Sequence, residues 1–598
     1  MAKSEKTKSV SDKGKSNDLF YYLILASLSV LLYIRIPGFQ FTGFDDSTII
    51  LDNLDLLGSF SNFVDVVLND AFFQGGSQHF FRPLQNLTFM FDTVISDGNP
   101  SFYHFTNMIL HMAAVLLLFK LLRNFGISNI SSLFSAALYA LSPVMNHAVA
   151  WVPGRGDVLM SIFTLVFFIS LDDYIKKEKF KYFYINITGL ILALLSKESA
   201  LLLPSIALIY ILIRNRKAVI FQKEGLIFSV SYIVISLAYL LFRNTIITTE
   251  LSNTNFGISE YISNLYFLPE IFGKFLIPVN LSTLPIYSLI STIIGILTSM
   301  LFIYLYINSK ADKSYLYFGI IWFVLLSSPG MFYTHEFGNF AYNYLEHRAY
   351  LPLIGIIVPI SVLLNQYIRN NTFKPIIVLY LIILGIISVI NTGNYENRFK
   401  FYDKAIKDNP ESAAMAYLNR GIFYANTGDN KSAVDDFEKA KEIFPEYASA
   451  YSNLGLAISN KGVNQEYSIR CLDKAIQLDS SNQLYYFNRG TIHGKFGNPE
   501  KAIADYKTAI SIKSDFRNAY RNLIYELNRI GNFEEIVKEA NTAIKNIPDY
   551  NEAYLELGVA KYYLQDTIGA CEAWKQSAEF GNTKAKEYYR QVCKTTIE

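Results

Sequence analysis

The sequence predicts an all-α protein, a polytopic membrane domain of about eleven helices followed by a helical-repeat solenoid. Three observations carry that expectation. Apolar runs recur through residues 19–391, most of them about as long as the roughly 20 residues a span needs. The 598-residue chain is 51% hydrophobic and only 17% charged, whereas a soluble protein is about a quarter charged. After Asn391 polar residues rise, and glycines return at a spacing of 34 or 35 residues, the mark of a stacked repeat.

Taken in order, residues 1–18 are rich in Lys and Ser and are expected to form a disordered cytoplasmic tail. The first run, Leu19 to Ile36, has no small-residue cleavage site before Pro37, so it reads as an anchor rather than a leader. Lys3, Lys6, Lys8, Lys13 and Lys15 in front of it keep the amino terminus cytoplasmic, and Asp45 and Asp46 then emerge on the outer side. Further runs lie near 103–122, 131–151, 157–174, 182–196, 199–213, 225–243, 286–307, 315–331, 347–366 and 374–391. Basic segments at alternate ends (Lys176–Lys179, Arg214–Lys217, Lys310 with Lys313, Arg369 with Lys374) fall on the cytoplasmic side of this map. The carboxyl end then leaves on the outer side. Residues 257–285 are apolar but broken by Pro269, Pro278 and Pro285, and read as re-entrant or interfacial rather than spanning. The expected domains are 19–392 in the membrane, a linker at 393–412, and a solenoid at 413–598.

A net charge of +2, with no basic cluster interleaved with aromatics, excludes nucleic acid as a partner. Cys471, Cys571 and Cys593 make neither a zinc site nor a disulfide framework, although one pair could oxidise outside the cytoplasm. His79, His104, His111, His147, His335 and His347 precede residue 390, with His493 alone after it. In apolar surroundings each imidazole needs a partner or a task.

In the tail Gly421, Gly455, Gly490 and Gly558 recur at intervals of 34, 35 and 68 residues, with Ile524 at the missing halfway place. Small and aromatic residues keep matching offsets: Tyr424, Ala433, Phe437, Ala440 and Pro445 in the first unit, Ala502, Tyr506 and Ala509 in the third, and Tyr554, Leu557, Ala570 and Trp574 in the fifth. This pattern resembles the tetratricopeptide repeat, with five units and a closing helix near 583–593. Asn419, Asn453, Asn488 and Asn522 stand before the repeat glycines or their equivalent. Such a ladder can hydrogen-bond an extended acceptor peptide, or it can fix helix to helix.

The unusual polar residues of the membrane half gather at outer loops and span ends. They are Asp45-Asp46, Phe81-Arg82-Pro83-Leu84, Tyr103-His104 through Asn107 and His111, Asn146-His147 through Arg155 and Asp157, Ser196-Lys197-Glu198-Ser199, and Glu346-His347-Arg348 through Pro352. Carboxylates can take a proton from a hydroxyl or hold a divalent cation. Arginine and lysine can hold a phosphate. A base beside a phosphate clamp at a membrane surface suits transfer from a lipid-linked phosphate. The plain structural reading stands beside it: Asp45 and Asp46 can cap a short helix, Lys197 with Glu198 can be an ordinary ion pair, and Arg348 can snorkel. Arg155 with Asp157 can simply fix a loop, and His104 and His111 can pack.

These blocks, in this order, make the membrane half resemble the multi-span C-type glycosyltransferases. The whole layout resembles the transmembrane-and-TPR protein O-mannosyltransferase-like family and its bacterial relatives. The resemblance implies an enzyme that moves a sugar, mannose in the best-known members, from a polyprenyl-phosphate carrier to protein Ser or Thr hydroxyls, and base-assisted attack of the hydroxyl at the anomeric carbon would invert its configuration. One of Asp45 and Asp46 would be the catalytic base, and Arg348, Lys197, Arg155 and His347 would bind the donor phosphate. Glu346, Glu198, His147, Arg82, Asp157 and His104 would support them, and the asparagine ladder would take the acceptor. His147 stands where relatives often carry an acid, which leaves open whether a divalent cation takes part. The site would be extracytoplasmic, periplasmic in a bacterium and lumenal in a eukaryote. The rivals are a membrane-anchored repeat scaffold for envelope assembly and a transferase directed at a glycan or lipid.

Overall fold

A computed structural model of the chain describes residues 2–73, 80–213, 223–247, 255–337, 340–342, 346–368, 372–460 and 464–593. His79, the basic segment 214–217 and Arg369 lie outside the described residues. The chain divides into two compact units, Met1–Pro410 and Glu411–Glu598.

The first unit is helical apart from three short antiparallel strands, Asn255–Phe256, Tyr333–Phe337 and Phe340–Tyr342. Among the described residues seven helices are long and apolar enough to cross a membrane: Asp18–Gly38, Pro100–Asn124, Val152–Lys177, Gly225–Ile246, Leu289–Ile307, Lys313–Met331 and Phe373–Tyr395. The shorter apolar helices Asn129–Leu141, Phe180–Ser196, Glu198–Ile213 and Pro352–Tyr367 fall on the remaining expected runs. Val152–Lys177 is the most enclosed of the seven, whereas Phe373–Tyr395 turns most of its surface outward.

Inside an apolar bundle a polar side chain must find a partner, and here such pairs tie distant helices together. Asn146 Oδ1 accepts from the Tyr33 hydroxyl at 2.8 Å and the Ser388 hydroxyl at 2.8 Å, and its amide donates to the Ser388 carbonyl at 2.9 Å. That joins the first and last spanning segments through the loop at 146. His111 Nδ1 lies 2.7 Å from the Tyr350 hydroxyl, while the Tyr139 hydroxyl donates to the Tyr350 carbonyl at 2.7 Å. His111 is therefore a packing residue.

Several segments differ from the sequence expectation. The first helix runs Ala2–Tyr33, so from residue 2 the backbone of the tail expected to be disordered is helical and continuous with the first span. Residues 257–285, by contrast, hold two short helices, Ile258–Ser263 and Phe267–Leu276, neither long enough to span, in keeping with the expectation of a non-spanning segment. The expected linker at 393–412 contains the helix Arg398–Asp408, which packs within the first unit. Its amphipathic pattern buries Phe401, Tyr402, Ala405 and Ile406.

The second unit is a run of helix pairs: Ala414–Asn426 with Asn430–Ile443, Ala448–Asn460 with Gln465–Leu478, Gln483–Lys495 with Pro499–Ile512, Arg517–Arg529 with Phe533–Asn546, and Asn551–Tyr563 with Thr567–Glu579. A closing helix, Thr583–Tyr588, is tied back by a Cys571–Cys593 disulfide with Cα atoms 5.7 Å apart, and Cys471 is free and buried. The repeat glycines are explained by what faces them. Phe437, Tyr506 and Trp574 each stand sixteen residues after Gly421, Gly490 and Gly558 and cover the space a Cβ would take. In the fourth repeat the sizes are exchanged, with Ile524 on the first helix and Ala540 on the second, both buried in one core cluster. The pair, rather than the glycine alone, is what the repeat specifies. A Cβ at Gly490 would sit 2.9 Å from the Tyr506 ring. Gly490→Ile is accordingly expected to cost about 1–3 kcal/mol or more by overpacking. Adding Tyr506→Ala, which copies the fourth repeat, should recover most of the loss. Thermal unfolding of the two variants followed by circular dichroism checks this, and equal melting of single and double variants would refute the size exchange.

Candidate active site

The loop after the first span turns at Gly43, whose φ is +69°, and enters the short helix Asp45–Ile49. Its two acids have different surroundings. Asp46 is buried, and its carboxylate is occupied by the loop itself: the Thr42 amide donates to Oδ2 at 2.8 Å and the Thr42 hydroxyl donates at 3.0 Å. Burial raises its pKa and the Thr42 bonds pull it back. Asp45 is half-buried. Loss of water around it, then the neighbouring Asp46 charge, pushes it up to about 7, against the pull of Arg82 and Arg348. Asp45 is thus an acid that changes charge near neutrality.

The cations come from three separate parts of the chain. Arg82, the residue before the helix Pro83–Ser96, brings Nε to 3.5 Å from Glu198 Oε2, and the adjoining Phe81 amide donates to Glu198 Oε1 at 2.6 Å. Lys197 lies in the tight corner between Phe180–Ser196 and Glu198–Leu202 and holds both oxygens of Asp157 at 2.6 Å. Burial pushes Lys197 down to about 8, with Asp157 opposing it and Arg82 and Arg348 adding to it. Arg348 stands on a single turn, His347–Ala349, and lines one narrow crevice with Asp157, Lys197 and Ser199. It lies within electrostatic reach of Arg82, Glu198 and Asp45 as well. The structure therefore gathers Asp45, Arg82, Asp157, Lys197, Glu198 and Arg348 into one cluster of alternating charge.

An aromatic wall adjoins it. The His147 ring lies 5.4 Å from His347, 5.5 Å from Trp151 and 5.8 Å from Tyr395, and Trp151 in turn is 5.9 Å from Phe44, next to Asp45. Glu346, which begins the turn carrying His347 and Arg348, is ion-paired with Lys274, and Lys274 lies 2.9 Å from Glu270. All three are buried. Burial works against the charge on Lys274, yet Glu346 and Glu270 hold it above the ordinary lysine value. Lys274 and Glu270 escaped the sequence reading, although two charges four apart in an apolar stretch were a usable signal. Among the described residues no group of three or more His, Cys, Asp and Glu side chains is placed to hold a metal ion.

Arg155 is not where a phosphate ligand is expected. Its side chain is fully buried, paired with Asp92 at 2.6 Å, donating to Asn107 Oδ1 at 2.7 Å and to the Tyr103 carbonyl at 2.9 Å, and its guanidinium lies over the Phe89 ring. These contacts make it an internal strut, with Asp92 the partner that sequence reasoning missed. His104 is buried edge-on to Phe39 at 6.0 Å. In the solenoid the asparagine ladder is half-buried. Asn419 and Asn453 donate to carbonyls of their own helices at 2.9 Å, Asn488 donates to the Ser452 hydroxyl of the preceding repeat at 3.0 Å, and Asn522 bonds Tyr506. These contacts give the ladder a helix-fixing part.

Comparison with known proteins fits this architecture. Residues 90–242 match the family model of dolichyl-phosphate-mannose-protein mannosyltransferases, and residues 414–447 and 484–516 match tetratricopeptide repeats. The chain is 23% identical to the human protein O-mannosyl-transferase TMTC3 over 80% of its own length and 59% of that protein. It is 24% identical to the Caenorhabditis elegans protein O-mannosyl-transferase F38B6.6, over 74% and 65% of the two chains. A 164-residue stretch is 35% identical to Drosophila melanogaster Tmtc2, covering 26% of this chain and 17% of that one. The chain thus spans about three fifths of the length of the first two relatives. Among solved structures it is similar to the TPR protein YrrB, over 32% of this chain and 98% of that one, at 19% identity and a TM-score of 0.27. The chain is a multi-pass membrane protein in which one segment matches the mannosyltransferase family model and tetratricopeptide repeats follow it, similar in layout to the protein O-mannosyl-transferases.

Proposed function

We propose that the chain is an inverting membrane glycosyltransferase that moves a sugar, mannose or a close relative, from a polyprenyl-phosphate carrier to a Ser or Thr hydroxyl of a protein on the extracytoplasmic side. The observation that carries this is the meeting of Asp45 with Arg82 and Arg348, which in turn reach Lys197, from parts of the chain as far apart as residues 45 and 348. Asp45 takes the proton of the acceptor hydroxyl as its oxygen attacks the anomeric carbon. The bond from that carbon to the carrier phosphate breaks with inversion, and the phosphate leaves with its charge held by Arg348, Lys197 and Arg82. Arg82 takes the place expected of Arg155. Asp157 and Glu198 orient the cations, the Lys274 triad fixes the turn bearing Arg348, and the aromatic wall of His147, Trp151, His347 and Tyr395 gives the sugar a face to pack on. The solenoid recruits the acceptor protein. Its Cys571–Cys593 disulfide suits an oxidising compartment, periplasmic or lumenal, and so supports the outward placement of the tail.

The test is transfer from polyprenyl-phosphate mannose to a Ser/Thr peptide by the purified chain in proteoliposomes. The pH profile of kcat/KM carries the sharpest signature. Asp45 works deprotonated, so the rate rises with pH through about 7. Lys197 works protonated, so it falls again above about 8. A narrow optimum between the two is expected. A rate flat from pH 5.5 to 9 would remove both assignments. A scaffold with no enzymatic activity does not require this cluster.

A further inference from the structure

The helix Arg398–Asp408 follows the last spanning segment and ends just before the solenoid unit begins at Glu411. Its composition reads as a connector, yet its contacts converge on the acidic loop. Arg398 Nη2 donates to the Ser47 hydroxyl at 3.0 Å and to the Gly43 carbonyl at 3.4 Å. The Tyr402 hydroxyl donates to the same carbonyl at 3.2 Å. Phe401 stacks on Phe44 at 6.1 Å, and the Gln40 amide donates to the Glu396 carbonyl at 2.8 Å. Gly43 and Ser47 bracket Asp45 and Asp46. A Cβ on Gly43 would land within the Arg398 guanidinium, and the positive φ there already disfavours any other residue. Phe44 gives the Asp45–Ile49 helix no side-chain cap; the loop keeps its Thr42–Asp46 bonds and the Ser47 amide bond to the Phe44 carbonyl at 3.2 Å, and Arg398 and Tyr402 add their hold from outside it.

We infer that Arg398 and Tyr402 are positioning residues for the Asp45 carboxylate, making the first helix after the membrane span a working part of the transfer site. The inference rests on the function proposed above. Arg398 reaches the reaction through the loop backbone and Ser47, not through the substrate. A carboxylate displaced by about 1 Å can lose on the order of 10²-fold in rate. The phosphate clamp of Arg82, Lys197 and Arg348 is untouched by the change, so donor KM should stay constant.

The experiment measures kcat, donor KM and the acid limb of the pH profile in proteoliposomes for Arg398→Gln, Arg398→Lys, Tyr402→Phe and Gly43→Ala, with Asp45→Asn beside them. Arg398→Gln and Gly43→Ala attack one contact from its two sides, and each is expected to lower kcat about 10–100-fold. Arg398→Lys should recover part of the loss. The direction of the acid limb separates positioning from simple charge loss. Asp46, Arg82 and Arg348 are the charges that act on Asp45, and Arg398 is held beside them at Gly43 and Ser47; deleting a nearby cation would by itself raise the Asp45 pKa, whereas opening the loop hydrates it and lowers the limb below about 7. A downward shift with unchanged KM supports the inference. Loss of activity that tracks a lower melting temperature while the limb stays fixed overturns it, as does full activity in both Arg398→Gln and Gly43→Ala. Should Asp45→Asn transfer sugar normally, the proposed function itself fails and takes the inference with it.

Discussion

Asp45→Asn is expected to cut sugar transfer by about 10²–10⁴-fold, the range a general base contributes, while donor binding persists. Asp46→Asn should cost far less, about 10-fold. The difference comes from what each carboxylate touches. Asp46 spends its oxygens on the Thr42 amide and hydroxyl, and an asparagine keeps one oxygen to accept the Thr42 amide. Asp45 faces Arg82 and Arg348, and its raised pKa makes it a usable proton acceptor near neutrality. A second sign distinguishes them. Removing the Asp46 charge relieves repulsion on Asp45, so the remaining activity of Asp46→Asn should show its acid limb moved to lower pH. Initial rates of both variants across pH 5.5–9 decide the matter. Were Asp46→Asn the dead variant and Asp45→Asn the active one, the base would be Asp46.

Much of this was legible because the signals are periodic or local. The eleven runs, the 34-residue repeat and the closing helix follow from hydropathy and spacing, which the backbone must obey in lipid and in a solenoid alike. The acidic pair, Arg82, Lys197 with Asp157 and Glu198, and Arg348 were found as polar islands at span ends. Who pairs with whom was not legible. Lys197 stands directly before Glu198 in sequence but holds Asp157, forty residues earlier. Arg155 and Asp157 sit two apart at the start of a helix, so their side chains point in different directions, one to Asp92 and the other to Lys197. The segment 393–412 looked like a linker because it is short and charged. Its four buried residues are spaced for one helix face, and only the fold reveals that the acidic loop is what that face meets.

Arg155 gives the second large effect, and it is one of stability. Its guanidinium and the Asp92 carboxylate are both fully buried at 2.6 Å, with Asn107 and the Tyr103 carbonyl taking further donors and Thr106 donating to Asp92 at 2.8 Å. Arg155→Met strands the Asp92 charge in an apolar interior, at an expected cost of about 3–5 kcal/mol. Adding Asp92→Leu removes the orphan and should restore most of that stability, because a buried ion pair and a well-packed apolar pair differ little overall. The pH dependence of the single variant follows from the same physics. Burial already raises Asp92, and without Arg155 nothing but Thr106 opposes that rise. A group whose folded pKa lies above its unfolded value contributes stability below the unfolded pKa and loses it as pH rises through the folded one. Arg155→Met should therefore regain more stability than the wild-type chain does as the pH is lowered toward 5, because its Asp92 is raised further. Thermal unfolding in detergent at pH 5 and pH 8 measures it. If Arg155 instead held the donor phosphate, the same substitution would leave melting unchanged at both values and raise donor KM, so one variant separates strut from ligand.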